Sequence, residues 1–208
     1  MTCLYVLAGF LSGSLMFSYW LGLAAHVDVR EVGDGNPGAF NLWHAAGWRL
    51  GLLGIFLDFA KGYLPLFFLI RGGYVEGWSL VPVAVAPVAG HAFSPFVGFK
   101  GGKGIAVSFG VWSAVTTFEA SLAFALILAV LQLIVKLAVK GKPVSSDADG
   151  CMAVGGMLIL GIYLTLRAFP GSVLLLWLCN LAVFAYTNRW KLYRSLKDAY
   201  ECYWRRAA

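Results

Sequence analysis

Long apolar runs dominate this sequence of 208 residues and limit what the chain can fold into. Stretches with the composition of a membrane-spanning helix, which needs about 20 mostly apolar residues, fall at roughly 4–26, 51–70, 79–97, 105–118, 119–138, 151–168 and 172–188. Hydrophobic residues make up 60% of the chain and charged residues only 12%, which is more apolar surface than one soluble core can cover. The pattern predicts an all-α, polytopic integral membrane protein of about seven transmembrane helices, with residues 1–208 forming a single domain.

The stretch 105–138 leaves two interpretations open. It can hold two short helices with a break near Thr116–Glu119, or one long helix with a re-entrant piece. With two helices, the number of spans is odd, so the two termini lie on opposite sides of the membrane.

The basic residues are distributed unevenly among the segments that separate the runs. With the N-terminus outside, the segments 27–50, 98–104, 136–149 and 188–208 share one side and hold most of the 16 lysines and arginines. Only Arg71 and Arg167 fall on the other side, and Lys61 lies inside a run. Cytoplasmic loops of membrane proteins carry an excess of Lys and Arg, so the bias predicts an N-out, C-in orientation. It also accounts for the net charge of +6 without a nucleic-acid partner.

The first polar segment, VGDGNPGAFNLWH at 32–44, is too rich in glycine and polar residues for an ordinary span. Irregular backbone at membrane depth is tolerated where it is buried in protein or lines a wet cavity. A tight turn between helices would explain Gly33–Gly38 but not the polar residues that continue into an apolar context. We therefore expect a substrate-binding loop, with the candidates Gly33, Asp34, Gly35, Asn36, Gly38, Asn41 and His44.

The second polar segment, GHAFSPFVGFKGGKGIAV at 90–107, resembles a phosphate-binding loop in its chemistry. Gly101, Gly102, Lys103 and Gly104 directly precede an apolar helical pattern. Glycine amides, a helix N-terminus and a lysine together favour the binding of an anion. The spacing is not that of a Walker A loop, which argues against a nucleotidase. A basic turn without chemistry is the alternative, and His91, near this loop, is either a hydrogen-bonding residue of the site or a structural histidine.

Asp58 and Lys61 form a third candidate inside the second apolar run. They are three positions apart on a helix and can pair on one face. Charges at membrane depth usually face a bundle interior or a cavity, so the pair serves either a site or internal packing. The four cysteines are scattered and form no CxxC pair, and no metal or other cofactor is predicted.

At these segments the chain resembles the PlsY family, the integral membrane acyl-phosphate:glycerol-3-phosphate acyltransferases. The family pattern GSGNxGATNxxR compares with GDGNPGAFNLWH at 33–44, and LLDxxKG compares with FLDFAKG at 56–62. The pattern GHxFPxFxxFKGGKGVAT compares with GHAFSPFVGFKGGKGIAV at 90–107. The resemblance covers the whole chain and includes the seven-span, N-out plan.

Several positions depart from the family patterns. Asp34 stands where the family has serine, Phe40 replaces threonine and His44 replaces arginine. In the third family pattern, RHxxNIxRL, Arg194 matches the final arginine and Lys191 stands where asparagine is expected. A carboxyl group beside phosphate must be protonated, pair with a cation such as Arg30 or Lys103, or have another role. We hypothesise that Asp34 is a general base, and that His44, when protonated, donates to phosphate.

The resemblance implies transfer of a fatty acyl group from acyl phosphate to the 1-hydroxyl of glycerol 3-phosphate, giving lysophosphatidic acid for phospholipid synthesis. It implies Lys103 as a catalytic residue, with phosphate or substrate held by the glycine-rich loops, Lys61, His91 and Arg194. Asp34, which departs from the family pattern, is the second catalytic candidate through the hypothesis of a general base. It also implies the cytoplasmic membrane of a prokaryote, membrane lipids as surroundings and a site at the cytoplasmic face, while a monomer is one of the oligomeric states left open. The alternatives are a relative with another acceptor, a non-catalytic lipid-binding protein, and an anion transporter.

Overall fold

The apolar runs form helices because a backbone in lipid must satisfy its hydrogen bonds within its own segment. The computed structural model describes residues 1–140 and 145–207, and the side chains as far as residue 204. Lys142, one of the basic residues of the charge bias, lies outside the described residues. The helices are α1 Thr2–Ser14, α2 Phe17–Ala24, α3 Ala39–Ala46, α4 Trp48–Arg71, α5 Gly77–Ala92, α6 Ile105–Thr116, α7 Glu119–Ala138, α8 Ser146–Leu166, α9 Gly171–Thr187 and α10 Arg189–Ala207.

Within the described residues, five stretches are long and apolar enough to cross a membrane. They are Thr2–Ala24, which joins α1 and α2, and then Trp48–Arg71, Gly77–Val97, Glu119–Ala138 and Ser146–Leu166. The count rises to six if α9 and α10 are taken as one broken span, bent by 70°. Helix α6 has 12 residues, and is about 18 Å long, so it is shorter than a bilayer core. The all-α membrane architecture is confirmed, and the number of seven stays a prediction.

The stretch 105–138 forms two helices. The chain reverses at Thr117 and Phe118, which both have positive φ, so that α6 and α7 lie side by side. Phe109 stacks on Phe124 with ring centroids 5.1 Å apart, and the Ser113 hydroxyl donates to Ser121 Oγ at 2.9 Å. Of the two helices of this hairpin, only α7 is long enough to span a membrane.

Close packing of α6 against α4 brings the second polar segment next to the charged pair of α4. A Cβ on Gly62 would lie 2.4 Å from the carbonyl oxygen of Val107, and one on Gly110 would lie 2.2 Å from that of Phe59. Small residues at such crossings let helix backbones approach closely in membranes. Any larger residue at Gly62 or Gly110 would therefore separate the two helices.

The polar segments meet at one end of the bundle, which we call the basic end. There Lys103, before α6, and Lys191, on α10, both pair with Asp34 in the loop before α3. At the opposite end Arg167 pairs with Glu119 at 2.9 Å. The helices thus alternate in direction and carry segments that are far apart in sequence to the same end.

Candidate active site

The first glycine-rich loop is held in shape by Asn41. This side chain is 2% exposed, and its Nδ2 donates to Oδ1 of Asp34 at 3.1 Å and to the carbonyl of Asn36 at 3.0 Å. Gly33 and Gly35 have φ of 61° and 73°, values that favour glycine, and a Cβ on Gly33 would lie 2.8 Å from Asn41 Oδ1. Asn41 is therefore a buried residue that holds the loop in shape, and the Asp34 carboxylate is the group that the loop offers to the site.

Asp34 is the centre of a charged cluster built from four segments of the chain. Its Oδ2 lies 2.8 Å from Nζ of Lys103 and 2.5 Å from Nζ of Lys191, and it accepts from the Ser146 hydroxyl at 3.1 Å. Lys191 also donates to the Ser146 carbonyl at 3.1 Å. The side chains of Asp34, Lys103 and Lys191 are 14%, 17% and 11% exposed, so solvent screens these contacts only in part.

The two lysines control the ionisation of Asp34. Burial alone would raise the pKa of this carboxyl, but the hydrogen bonds and charges of Lys103 and Lys191 outweigh burial and hold its pKa well below the usual range. The carboxylate is therefore charged at neutral pH and is a weaker base than an ordinary aspartate. Of the two cations considered from the sequence, Lys103 pairs with Asp34, whereas Arg30 pairs with Asp28 at 2.6 Å.

The glycines of the second loop have a different role from the one expected. The amides of Gly101 and Gly102 donate to the carbonyls of Ala92 and His91, at 3.0 and 3.1 Å, so they face the end of α5 and not a ligand. A Cβ on Gly101 would lie 1.9 Å from the His91 carbonyl oxygen. These glycines let the loop pack on α5, and the amides of the first turn of α6, after Gly104, are available to an anion.

Lys61 is fully engaged inside the bundle. Its Nζ lies 2.7 Å from Asp58 Oδ1 and 2.8 Å from His91 Nδ1, and it donates to the carbonyl of Leu15 at 2.5 Å. The ammonium therefore has three polar neighbours inside the bundle. The side chain is 1% exposed, so it is shielded from solvent. Lys61 thus pairs with Asp58 and contacts His91, and its direct contact with phosphate stays a prediction.

His44 and Arg194 make their contacts outside the charged cluster. His44 is exposed on α3, and its ring lies 4.6 Å from that of Phe40. Gly38 and Ala39, at the start of the same helix, line a cavity. Arg194 makes a two-point contact with Asp147, at 2.9 and 2.6 Å, which ties α10 to α8. Phosphate binding by His44 and Arg194 therefore stays a prediction.

Lys191 is the charged residue of the cluster that the sequence analysis did not select. It lies one helical turn before Arg194, at a position already marked by its departure from the family pattern. A lysine in place of asparagine, together with an aspartate in place of serine, is a paired change of opposite charge. That pairing was a signal in the sequence, but only the contact at 2.5 Å connects the two positions.

Two cavities meet at the charged cluster. The apolar cavity has a volume of about 500 Å³, and its mostly hydrophobic wall includes Phe40, Trp43, Ile55, Phe109, Leu128 and Met152. The polar cavity has a volume of about 540 Å³, and its wall includes Lys100, Gly101, Gly102, Arg189 and Lys191. Both cavities are lined by Asp34, Asn36 and Lys103. The arrangement suits a reaction between a molecule with a long apolar chain and a small polar anion.

The apolar cavity is also lined by two buried polar side chains and by the start of α6. Asp58 and His91 line it, together with Lys103, Gly104, Ile105 and Ala106. An apolar chain can lie in this cavity with a charged head group against the helix N-terminus and Lys103. Over residues 1–140 and 145–207, no three His, Cys, Asp or Glu side chains form a group suited to a metal ion.

Comparison with known proteins places the chain in a family. Residues 3–197 match the family model described as glycerol-3-phosphate acyltransferase. The chain is 35% identical over 192 residues to glycerol-3-phosphate acyltransferase 1 of Thermotoga maritima, covering 90% of this chain and 94% of the relative. It is also 40% identical over 119 residues to the glycerol-3-phosphate acyltransferase of Aquifex aeolicus, covering 57% and 62% of the two chains.

Solved structures agree with this assignment. The glycerol 3-phosphate form of PlsY, an integral membrane glycerol 3-phosphate acyltransferase, superposes with a TM-score of 0.80 at 30% identity and covers 95% of this chain and 92% of that one. Its lysophosphatidic acid form gives a TM-score of 0.79 at 28% identity, with the same coverage. The chain therefore belongs to the glycerol-3-phosphate acyltransferase (PlsY) family of integral membrane acyltransferases.

Proposed function

We propose that the protein transfers a fatty acyl group from acyl phosphate to the 1-hydroxyl of glycerol 3-phosphate, giving lysophosphatidic acid for phospholipid synthesis. The observation that carries this proposal is the meeting of an apolar and a polar cavity at Lys103 and Asp34. The family of the chain and the two forms of its structural relative support the acceptor. The acyl phosphate donor is supported by the shape and charge of the apolar cavity.

The two substrates are assigned to the cavities by their chemistry. The acyl chain fits the apolar cavity, with the phosphate of the donor near Lys103 and the first amides of α6. The phosphate of glycerol 3-phosphate fits the polar cavity, whose wall includes Lys100, Arg189 and Lys191. In this arrangement the reacting groups meet beside the residues that both cavities share.

The reaction needs no covalent intermediate on the protein, because acyl phosphate is already an activated mixed anhydride. The oxygen of the 1-hydroxyl bonds to the acyl carbonyl carbon, and the bond from that carbon to the phosphate oxygen breaks. The phosphate leaves with the electron pair of that bond and receives the hydroxyl proton. Positioning of the two substrates and stabilisation of charge by Lys103 are the contributions of the protein.

Asp34 has two candidate roles in this scheme. As a general base it would accept the hydroxyl proton, whereas as a counter-ion it would hold Lys103 and Lys191 in place beside phosphate. Its lowered pKa and its two ammonium partners support the counter-ion role, since a carboxylate of low pKa is a poor proton acceptor at neutral pH. The leaving phosphate then takes the proton.

The membrane placement proposed here is seven spans, N-out and C-in, in the cytoplasmic membrane of a prokaryote, with the site at the cytoplasmic face. The clustering of Lys100, Lys103 and Lys191 at the basic end supports this orientation. Exposed Trp190 and Trp204 on α10 suit a headgroup layer.

The exposed cysteines near the two termini test the orientation. Cys3 and Cys202 are exposed and lie at opposite ends of the sequence. In variants that keep one of them as the only cysteine, a membrane-impermeant maleimide added to intact cells should label Cys3 and should label Cys202 only after lysis. Labelling of Cys202 in intact cells would contradict the proposed orientation.

A phosphate-release assay tests the function. Purified protein is given acyl phosphate with and without a panel of polyol phosphates, and inorganic phosphate and lipid product are measured. We expect release that depends on glycerol 3-phosphate, that is lost in Lys103→Ala and that persists in the control Lys136→Ala on α7. Binding of acyl phosphate without turnover with any acceptor would favour a lipid-binding protein. Movement of labelled solute across proteoliposomes without turnover would favour a transporter.

A further inference from the structure

We propose that His91 is a second hydrogen-bond donor of the reaction, whose Nε2–H contacts the acyl carbonyl oxygen of the donor in the apolar cavity. The inference rests on the proposed function and deepens it, because it assigns the group that stabilises the negative charge formed on that oxygen. His91 is 4% exposed and lines the apolar cavity together with Lys103 and Gly104.

The orientation of the His91 ring is fixed by Lys61. Lys61 Nζ lies 2.8 Å from His91 Nδ1, and an ammonium can donate a hydrogen bond but cannot accept one. His91 Nδ1 is therefore the acceptor, and a neutral ring must carry its hydrogen on Nε2. The contact decides which ring nitrogen is the donor and leaves the ring uncharged.

A buried chain of contacts holds Lys61 in the position that this orientation requires. Asp58 Oδ1 lies 2.7 Å from Lys61 Nζ, and Asp58 Oδ2 accepts from the Ser18 hydroxyl at 2.8 Å. The side chains of Asp58 and Lys61 are 3% and 1% exposed. Water cannot easily replace these contacts, so the network keeps the ring in place during turnover. Lys61 and Asp58 are positioning residues in this scheme.

The other side of the ring faces the glycine–lysine loop. A Cβ on Gly102 would lie only 2.2 Å from His91 Nε2, so the loop packs closely on the ring at this point and any side chain at Gly102 would collide with the donor nitrogen. The loop residue that follows, Lys103, lines the same cavity. A donor phosphate against Lys103 would place its acyl carbonyl within the space between Lys103 and His91.

The Nε2–H group of His91 acts on charge that develops during the reaction. As the 1-hydroxyl oxygen bonds to the carbonyl carbon, the carbonyl oxygen gains negative charge, which returns to the carbonyl bond when phosphate departs with its electron pair. A fixed N–H aimed at that oxygen stabilises the transition state more than the ground state. Loss of this N–H group should therefore lower kcat and leave KM almost unchanged.

Two substitutions separate this role from a structural one. The amide of His91→Asn ends near the position of Nδ1, so its oxygen can accept from Lys61 while the donor at Nε2 is lost. The amide of His91→Gln reaches the position of Nε2 and restores a donor there. We expect His91→Asn to lower kcat about 10²–10³-fold with KM changed less than about threefold, and His91→Gln to recover to within about tenfold of wild type. His26→Asn, at an exposed loop residue with φ of 59°, is the matched control.

The outcomes are distinct. Turnover of His91→Asn at the wild-type rate, or equal loss of kcat in both folded variants, overturns the role of Nε2–H. An inactive wild type means that the proposed function has failed, and the inference fails with it. Rates are normalised to the folded fraction from size-exclusion chromatography. If both variants fail to fold, wild type labelled with ¹⁵N-histidine still decides: a non-hydrolysable acyl phosphonate should shift the Nε2–H resonance of the buried histidine, and no shift overturns the proposal.

Discussion

The ammonium of Lys191 lies 2.5 Å from Oδ2 of Asp34, although the two residues are 157 positions apart in the sequence. Lys103 approaches the same oxygen to 2.8 Å. Two ammonium groups and one carboxylate leave a net positive charge at the junction of the two cavities, which attracts a phosphate anion. The carboxylate also limits repulsion between the lysines before the substrate arrives.

Replacing Lys191 tests whether α10 contributes to the acceptor site. A hydrogen bond to a charged group contributes about 1.5–3 kcal/mol, so Lys191→Ala is expected to raise KM for glycerol 3-phosphate about 10–100-fold. Steady-state phosphate release at varied acceptor concentration measures this. Lys197→Ala, on the same helix with a side chain 58% exposed, is the control and should keep the wild-type KM. An unchanged KM in Lys191→Ala would place the acceptor phosphate elsewhere.

Substitution of Asp34 distinguishes its two candidate roles. Asn keeps hydrogen-bonding atoms at this position without the charge, and Ser restores the residue of the family pattern. If Asp34 is a counter-ion, both Asp34→Asn and Asp34→Ser should retain kcat to within about tenfold. A general base contributes about 10²–10⁴-fold, so a loss of that size in both variants would support the base instead. The measurement is kcat at saturating acyl phosphate and glycerol 3-phosphate.

The lowered pKa of Asp34 predicts a pH-dependent contribution to stability. A carboxyl whose pKa is lower in the folded state stabilises that state fully above its unfolded pKa, about 3.9 for Asp, and this stabilisation disappears as pH falls through the folded pKa. The Tm of wild type should therefore exceed that of Asp34→Asn at neutral pH, and the difference should shrink below about pH 4. Thermal unfolding in detergent measures both. A difference that does not change with pH would exclude the charge of Asp34 as its source.

The tight packing of the second loop predicts that Gly101 tolerates no side chain. The methyl group of Gly101→Ala would lie 1.9 Å from the His91 carbonyl oxygen, so the loop must move away from α5. We expect a loss of about 1–3 kcal/mol in stability and a higher KM for phosphate substrates. Gly155→Ala on α8, with no atom within 4 Å of the added group, is the control and should leave Tm unchanged or raise it. Equal Tm and KM in the two variants would contradict this packing.

Narrowing the apolar cavity should change the preference for acyl-chain length. Ala106 lines this cavity at the start of α6, and Ala106→Leu adds volume where the chain would pass. We expect at least a tenfold lower kcat/KM for long-chain acyl phosphates and a smaller loss for short ones, because each buried CH₂ contributes about 0.8 kcal/mol. Ala129→Leu, on the exposed face of α7, is the control. The same loss for all chain lengths would mean that the acyl chain lies outside this cavity.

The sequence by itself determined the class of the protein, the positions of most helices and the two glycine-rich segments. Apolar runs in a membrane have one low-energy backbone solution, so the runs at 51–70 and 119–138 became α4 and α7 within a few residues. The resemblance at 33–44 and 90–107 led to the correct family because each segment is a continuous run of residues, which can be compared without the tertiary structure. Asp34 and Lys103 could be selected because charged residues are scarce in such a chain.

The tertiary structure alone decided which polar groups are buried inside the bundle and which line the cavities. Lys61 and Lys103 are both lysines near glycine-rich segments, yet Lys61 is buried among Asp58, His91 and Leu15, whereas Lys103 lines both cavities beside its partner Asp34. Lys191 joins Asp34 only because α10 follows a bend of 70° after α9. These differences depend on competition among donors and acceptors brought together by helix packing, and that competition has no counterpart in the local pattern of residues.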